Sequence, residues 1–243
     1  MTLANKEKIV FSWSGGKDSA MALHELRRSG RYEIVSLLTT VAEEYSRISH
    51  HGVRAELLEL QAEAVGEPLH KVYLPAHTTN EKYEAVMERT MLDYKNAGIR
   101  TVAFGDIFLR DLREYRKNNL MKVGMGAIFP IWLRDTAEMV RTFIDLGFRA
   151  RLSCVDSRKL GETFAGRPID ADLLRDLPPD VDPCGENGEF HSFVYDGPIF
   201  DYPVGVAPGE VVLRDVRYFA DLLPAGNPTP GPGAKRVKGG PAE

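Results

Sequence analysis

Apolar runs and helical patterns alternate along the first part of the chain. Four short apolar runs are typical of buried strands: residues 8–13, 32–41, 68–75 and 100–107. Three segments between them repeat apolar side chains at helical spacing and end at a glycine or just before one: residues 19–30, 52–66 and 80–97. This alternation predicts a doubly wound, largely parallel α/β sheet. Ligands of such sheets bind at the carboxyl ends of the strands.

The pattern changes in the second half of the chain. A helix at residues 136–147 and a strand at 148–156 are followed by a stretch rich in proline and glycine at 178–209. Aromatic residues in that stretch argue against disorder, and a long irregular segment of this kind is usually functional. We therefore predict an α/β domain at residues 1–127, a smaller domain at 128–223 and a flexible tail at 224–243.

Composition and charge limit the kinds of partner and the cellular location that this chain is expected to have. The 243 residues carry a formal net charge of −4, which disfavours a nucleic-acid partner bound mainly through its phosphates. The densest basic segment, residues 108–119, is interpreted as a solvated helix with i,i+3 and i,i+4 ion pairs. No apolar run approaches the roughly 20 residues that cross a bilayer, and Cys154 and Cys184 form no disulfide framework. We expect a cytoplasmic protein.

The strongest local motif is the SGGKDS segment, Ser14 to Ser19, directly after the first strand. A strand, a glycine turn and a helix bring backbone N–H groups and the positive end of the helix dipole into one concavity. Such a concavity favours an anion, to which Lys17 adds a point charge and the two serines add hydroxyl donors. The spacing does not satisfy the Walker A pattern, which excludes a P-loop NTPase.

The segment resembles the PP-loop of the N-type ATP pyrophosphatases, and all six motif residues are present. That resemblance implies cleavage of ATP between its α and β phosphates, with the loop holding the pyrophosphate that leaves. It also implies that Asp18 holds Mg²⁺ or the loop itself. Cations and N–H donors aimed at a departing pyrophosphate stabilise its developing charge.

Further segments resemble the diphthine–ammonia ligase family, also described as the ATP-binding domain 4 group: AFGDIF, FPIWLRDT, FAGRPID and DVDPCGENGEFHSFVYDGPIF. The likeness covers nearly all of residues 8–223. It implies a HUP-type, adenine nucleotide alpha hydrolase-like sheet with a smaller C-terminal α+β domain. It also implies adenylation of a carboxylate by ATP, followed by displacement of AMP by ammonia to give an amide.

Site residues follow from the resemblance position by position. It implies an ATP phosphate site formed by Ser12, Ser14, Gly15, Gly16, Lys17, Asp18 and Ser19, and an adenosine site that includes Thr39, Thr40 and His51. Gly105 and Asp106 would border the cleft. Glu186, Glu189 and His191 would orient the amine or take its proton. His50 is an alternative to His51, and the glutamate-rich loop could instead be organised around its own turns. Cys184 is interpreted as a small buried residue rather than a nucleophile. A zinc site that includes it has little support from spacing.

Two departures from the family pattern, Asn187 and Ser192, leave the acceptor carboxylate open. The nitrogen donor, ammonia or an amine, and the oligomeric state are open as well, and a homo-oligomer is allowed. Two other functions are compatible with the PP-loop alone. A nucleotide sensor without turnover leaves the glutamate-rich segment unexplained. A tRNA-modifying enzyme is disfavoured by the negative charge and the isolated cysteines.

Overall fold

The computed structural model describes residues 6–44, 47–48, 52–75 and 78–226. The elements of its first half are β1 (Glu7–Ser12), α1 (Lys17–Ser29), β2 (Tyr32–Ala42), β3 (Arg47–Ile48), α2 (Ala55–Val65), β4 (Leu69–Leu74), α3 (Asn80–Asn96), β5 (Thr101–Ala103), α4 (Arg110–Lys122) and β6 (Gly126–Ile128). The second half contains α5 (Thr136–Asp145), β7 (Arg149–Asp156), a 3₁₀ turn (Glu162–Phe164), α6 (Ala171–Asp176), β8 (Phe190–Asp196), β9 (Val206–Arg214) and β10 (Arg217–Pro224).

The first sheet is parallel, in the order β4-β2-β1-β5-β6, and the short β3 pairs antiparallel with the end of β2. The chain moves outward from β1 to one side of the sheet, then returns to build β5 and β6 on the other side. The strand order therefore reverses between β1 and β5, and a crevice opens beyond their carboxyl ends. This topology confirms the predicted HUP-type doubly wound sheet.

The second sheet is antiparallel, in the order β8-β7-β10-β9. It supplies the predicted smaller C-terminal domain. The Pro- and Gly-rich stretch at residues 178–209 contains β8 and the start of β9, and the rest of it is turns and irregular structure. Its aromatic side chains Phe190, Phe193 and Phe200 are fully buried, which explains why the segment is ordered despite its glycines and prolines.

Two apolar clusters lie on the two faces of the parallel sheet. One contains Phe11 of β1 and Leu57 of α2 together with Phe193 of β8, so the second sheet shares a core with α1 and α2. The other contains Val102 of β5 and Leu120 of α4, and it joins α3 and α4 to the opposite face. Burial of these side chains at about 25 cal/mol per Å² provides the main stabilisation of both layers.

Glycines mark the end of helix α1 and the turn that follows strand β5. Gly30 has φ +66°, and its N–H donates to the Arg27 carbonyl, the left-handed cap that glycine adopts without strain. Strand β5 is shorter than the predicted run at 100–107, because the chain turns at Gly105 to form one wall of the crevice.

No helix among the described residues is both long and apolar enough to cross a membrane. Most of the predicted tail, residues 227–243, lies outside the described residues.

Candidate active site

The SGGKDS segment forms a tight loop between β1 and α1, as its glycines predict. Gly15 has φ +76°, and a Cβ there would lie 2.8 Å from both Gln61 Oε1 and Leu58 Cδ2, so the backbone fits only without a side chain. The N–H of Gly16, the residue before α1, donates to Ser14 Oγ over 3.3 Å, and Ser14 Oγ also contacts Ser19 Oγ. The first turn of α1 thus presents hydroxyl and N–H groups to one concavity.

Strand β8 of the second sheet holds this loop in place through two hydrogen bonds. The Lys17 N–H donates to Ser192 Oγ over 3.1 Å, and the Val194 N–H donates to the Gly15 carbonyl over 2.9 Å. The C-terminal segment therefore supports the PP-loop. The sequence alone links this segment only to the second substrate.

A buried glutamine on α2 completes the support. Gln61 Nε2 donates to the Gly15 carbonyl over 3.0 Å and to the Val194 carbonyl over 2.5 Å, while Gln61 Oε1 accepts from Trp13 Nε1 over 2.7 Å. Gln61 is fully buried, so these contacts replace water completely.

Lys17 and Asp18 form a buried pair at the head of α1. Lys17 Nζ lies 2.8 Å from Asp18 Oδ2 and 5.5 Å from the ring centroid of Phe190. Burial, the largest single effect, would lower the pKa of Lys17, but nearby acidic groups, with Asp18 foremost, together outweigh it and raise that pKa, so the lysine stays charged. The other oxygen, Asp18 Oδ1, is buried and accepts no hydrogen bond within the described part of the chain.

The residues after β5 form the facing wall. A Cβ on Gly105 would lie 3.0 Å from the carbonyl carbon of Asp18 and from the amide nitrogen of Ser19, so a side chain there would force this backbone to move apart. Asp106 Oδ2 lies 2.9 Å from Arg116 Nε. Burial raises the pKa of Asp106, an effect that Arg116 opposes.

The second domain closes the cleft with Glu186 and His191. Glu186 Oε1 accepts the backbone N–H groups of Ile107 and Phe108 over 3.1 and 3.4 Å. Burial, and after it the charge of Asp18, raises the pKa of Glu186 to about 7. A carboxyl with this pKa exchanges its proton near neutral pH.

The cleft has a volume of about 240 Å³ and collects most of the residues that the sequence singled out. Its lining includes Ser12, Ser14, Gly16, Lys17, Asp18, Ser19, Gly105, Asp106, Glu186 and His191. A second, apolar cavity adjoins it between the sheet and the helices α3 and α4, lined by side chains such as Leu38, Tyr83 and Met87. The two cavities share Ser12, Phe104 and Arg116.

Four other described residues that were predicted for the site line neither cavity. One is Gly15, whose carbonyl accepts hydrogen bonds from Val194 and Gln61. Glu189 is buried behind the loop, where its Oε1 accepts from the Asp182 N–H and from Asn187 Nδ2. Thr39 and Thr40 lie inside β2, which continues to Ala42 rather than ending beside them. His51 lies outside the described residues, as does His50.

The structure bears on two predictions, the packing role of Cys184 and the weak support for a zinc site that includes it. Cys184 is fully buried, its Sγ contacts the Thr136 carbonyl over 3.2 Å, and burial raises the pKa of its thiol, which agrees with a packing role. The described residues contain no group of three His, Cys, Asp or Glu side chains arranged to hold a metal ion. A single carboxylate that works together with phosphate oxygens, as for Asp18, is a different kind of site.

Arg116 and Gln61 are two residues of the site that the sequence does not single out. Arg116 was assigned to a solvated helix, but its side chain is only 27% exposed and faces Asp106. Its neighbour Lys117 does form the predicted surface pair with Glu114, at 3.0 Å. The one available signal for Arg116 was its place on the helix that follows the Gly105–Asp106 turn.

Parallel strands in this order, with a glycine loop between β1 and α1 that faces the β5 turn, define an ATP-binding α/β protein of the PP-loop class. Sequence comparison then fixes the family. The model of the diphthamide synthase N-terminal domain matches residues 7–126, and that of the C-terminal domain matches residues 135–222. The chain belongs to the diphthamide synthase family and is an ATP-dependent ligase.

The relatives are distant in sequence, and the two mammalian ones match this chain over most of both lengths. The diphthine–ammonia ligase of Bos taurus is 26% identical over 237 residues, and that of Homo sapiens is 24% identical over 239, each match covering 86% of both chains. The diphthine–ammonia ligase of Schizosaccharomyces pombe is 23% identical, with 84% of this chain matched to 37% of that protein. Among solved structures, the U34-tRNA thiolase NcsA from Methanococcus maripaludis aligns with a TM-score of 0.38 at 15% identity, covering 57% of this chain and 59% of that one.

Proposed function

We propose that this protein adenylates a carboxylate with ATP, releases pyrophosphate, and then forms an amide from ammonia or an amine. The observation that carries the proposal is the single cleft in which the loop bearing Lys17 and Asp18 faces Glu186 and His191 from the other domain. A reaction with two substrates needs two sets of polar groups that converge on one point. The diphthine–ammonia ligase relatives support the same chemistry.

The two adjoining cavities suit the two ends of ATP. Lys17, the first turn of α1 and the hydroxyls of Ser14, Ser19 and Ser192 suit the β and γ phosphates. The apolar cavity suits the adenosine, and its wall includes Leu38 of β2. Because side chains alternate along a strand, Thr40 shares the face of Leu38 and remains a candidate at the outer end of this cavity, whereas Thr39 points to the other face.

Magnesium fits the donor set beside the loop. Asp18 Oδ1 is buried without a hydrogen-bond partner, and a hard carboxylate oxygen is a preferred ligand of Mg²⁺. Asp18 would hold the ion together with phosphate oxygens. When bound, Mg²⁺ neutralises charge on the phosphates and polarises them toward attack.

In the first step, an oxygen of the acceptor carboxylate attacks the α-phosphorus of ATP. The bond from that phosphorus to the bridging oxygen of the β-phosphate breaks, and its electron pair leaves with pyrophosphate. Negative charge grows on the leaving group in the transition state. The Lys17 ammonium, fixed by Asp18 at 2.8 Å, is placed to stabilise this charge without reorganisation.

In the second step, the amine nitrogen attacks the acyl carbon, AMP leaves with the electron pair of the acyl–oxygen bond, and the nitrogen loses a proton. We assign the proton acceptor to Glu186 or His191, both of which line the cleft. Glu186, with a pKa of about 7, is ionised in a large fraction of molecules at neutral pH and can take that proton.

Diphthine is the first acceptor to test, because the relatives carry it in their names. The departures from the family pattern now have structural roles. Ser192 supplies the hydroxyl that accepts the Lys17 N–H, and Asn187 fixes the buried Glu189. Neither contact selects an acceptor, so we propose a carboxylate acceptor without restricting it to diphthine.

We also propose a cytoplasmic location. Both described cysteines are free and buried, as expected for a cytoplasmic protein.

The test is to identify which bond of ATP breaks. Purified protein is incubated with Mg²⁺, ammonium and either diphthine-bearing protein or a fractionated cell extract, and AMP, ADP and pyrophosphate are resolved by chromatography. We expect AMP and pyrophosphate in equal amounts, dependent on the acceptor. Carboxylate oxygen labelled with ¹⁸O should appear in AMP. ADP as the product, or ATP binding without turnover by any fraction, would contradict the proposal and favour a nucleotide sensor.

Lys17→Ala provides the site-directed version of this test. Removal of the cation beside the leaving pyrophosphate should reduce kcat/KM by about 10²-fold or more. Lys117→Ala is the matched control, because Lys117 pairs with Glu114 on the surface and lines neither cavity. Equal rates for the two variants would refute the assignment of the loop.

A further inference from the structure

Arg116 lies where the two cavities meet. Only three of the described residues line both the PP-loop cleft and the apolar cavity: Ser12, Phe104 and Arg116. Among these three, Arg116 alone carries a charge. The junction is therefore the one place where both cavities are exposed to the same cation.

The guanidinium of Arg116 is held on two sides. Its Cζ lies over the ring of Phe104, 4.5 Å from the centroid, and its Nη2 donates to Asp106 Oδ1 over 3.2 Å. Arg116 Nε is buried and makes no aligned hydrogen bond, although Asp106 Oδ2 is 2.9 Å away. A guanidinium has five N–H donors in a fixed plane, so this arrangement leaves donors for a ligand at the junction.

We propose that Arg116 binds the α-phosphate of ATP and stabilises the charge that grows on it during adenylation. The inference rests on the function proposed above. With adenosine in the apolar cavity and pyrophosphate on the PP-loop, the α-phosphate lies between them, at the junction. The roles of the two cations are then divided: Lys17 stabilises the pyrophosphate that leaves, and Arg116 stabilises the phosphorus centre that is attacked.

This assignment fits the course of the reaction. As the carboxylate oxygen attacks and the bond to the β-phosphate breaks, negative charge is spread over the equatorial oxygens of the α-phosphate. An arginine beside those oxygens can offer two parallel N–H donors, which a lysine cannot. Asp106 acts as a positioning residue, because both of its carboxylate oxygens lie against the guanidinium of Arg116.

The experiment separates the two phosphate sites by their ligands. Isothermal titration gives the Kd of AMP and of pyrophosphate for wild type, Arg116→Gln, Lys17→Gln and the surface control Lys117→Gln, in Mg²⁺ buffer. For Arg116→Gln we expect a Kd for AMP at least about tenfold weaker, the loss of one charge-assisted contact, and an unchanged Kd for pyrophosphate. Lys17→Gln should show the reverse selectivity, and Lys117→Gln should match wild type.

Kinetics supply the second readout. Acceptor-dependent pyrophosphate release by Arg116→Gln should lose about 10²-fold in kcat/KM, mostly in kcat, because the contact strengthens in the transition state. Arg116→Lys keeps the charge and the salt bridge, so it should retain the wild-type Tm and an intermediate rate, which shows that lost activity does not reflect lost folding.

Several outcomes overturn the inference. Arg116→Gln with an AMP affinity equal to that of Lys117→Gln does so, and so does an equal weakening of AMP and pyrophosphate, which indicates a merely structural role. If these occur while Lys17→Gln still loses pyrophosphate affinity and turnover, the proposed function stands and only the role of Arg116 falls. If the wild type binds neither ATP nor AMP, the proposed function falls as well.

Discussion

Replacing Gln61 with methionine tests whether the PP-loop depends on support from outside its own sequence. Methionine has nearly the same length and fits the same space, but it offers neither the amide oxygen that accepts from Trp13 Nε1 nor the amide hydrogens that reach Gly15 and Val194. The Gly15 carbonyl keeps the Val194 N–H as a donor. The Trp13 N–H and the Val194 carbonyl lose the glutamine as a partner at a buried position.

The size of the effect follows from those two groups. A buried polar group left unpaired costs about 1–3 kcal/mol, so the free energy of unfolding should fall by about 2–4 kcal/mol. For a chain of this length, that loss lowers Tm by roughly 5–10 °C. ATP affinity should fall in addition, because the Gly15 peptide is no longer fixed from α2.

The assay is thermal and urea unfolding followed by circular dichroism, run as a double-mutant cycle with Trp13→Phe. The second change removes the donor, so the two losses should be less than additive by about 1 kcal/mol or more. Strict additivity, or a Tm of Gln61→Met within about 2 °C of wild type, would refute the claim that this network supports the loop.

Two further predictions concern the cleft walls. Gly105→Ala should weaken ATP binding by about tenfold or more with little loss of Tm, since a Cβ would lie 3.0 Å from the backbone of Asp18 and Ser19 and displace the head of α1; calorimetry checks this, and an unchanged Kd would contradict it. Glu186→Gln should change the pH dependence of stability. The pKa of Glu186 is raised to about 7 in the folded state, so the folded protein binds this proton more tightly than the unfolded chain, and its contribution to stability declines as pH rises from about 4.5 to 7. Urea unfolding should therefore show the variant gaining stability relative to wild type between pH 5 and pH 8, and parallel pH profiles would argue against a raised pKa.

The PP-loop could be predicted from the sequence because all its parts are adjacent along the chain. Six consecutive residues after an apolar strand specify both the turn and the charge; in the structure they connect β1 to the start of α1, and five of them line the cleft. The alternation of strands and helices likewise specified the parallel sheet, since the period of apolar residues depends only on local geometry.

The supports of the loop could not be predicted in this way. Gln61 is 46 residues from Gly15 and 133 from Val194, and a glutamine within an apolar helix pattern gives no sign of which backbone groups it will meet. Arg116 is ten residues from Asp106 and looked like one more charge on a basic helix. The same period that predicted the helix could not show that one of its arginines faces inward.

Strand β8 links these observations, because its residues both support the PP-loop and line the cleft. Ser192 and Val194 hold the backbone of the PP-loop through hydrogen bonds of 3.1 and 2.9 Å, and His191, the adjacent residue, lines the cleft. A shift of this strand by one residue would exchange the faces of all three side chains and remove both supports of the loop. The glutamate-rich segment therefore cannot change its pairing to suit a new acceptor without disturbing the phosphate site. Changes in acceptor preference should instead arise in the turn at residues 185–189, which precedes the strand and bears no direct contact to the loop backbone among the described hydrogen bonds.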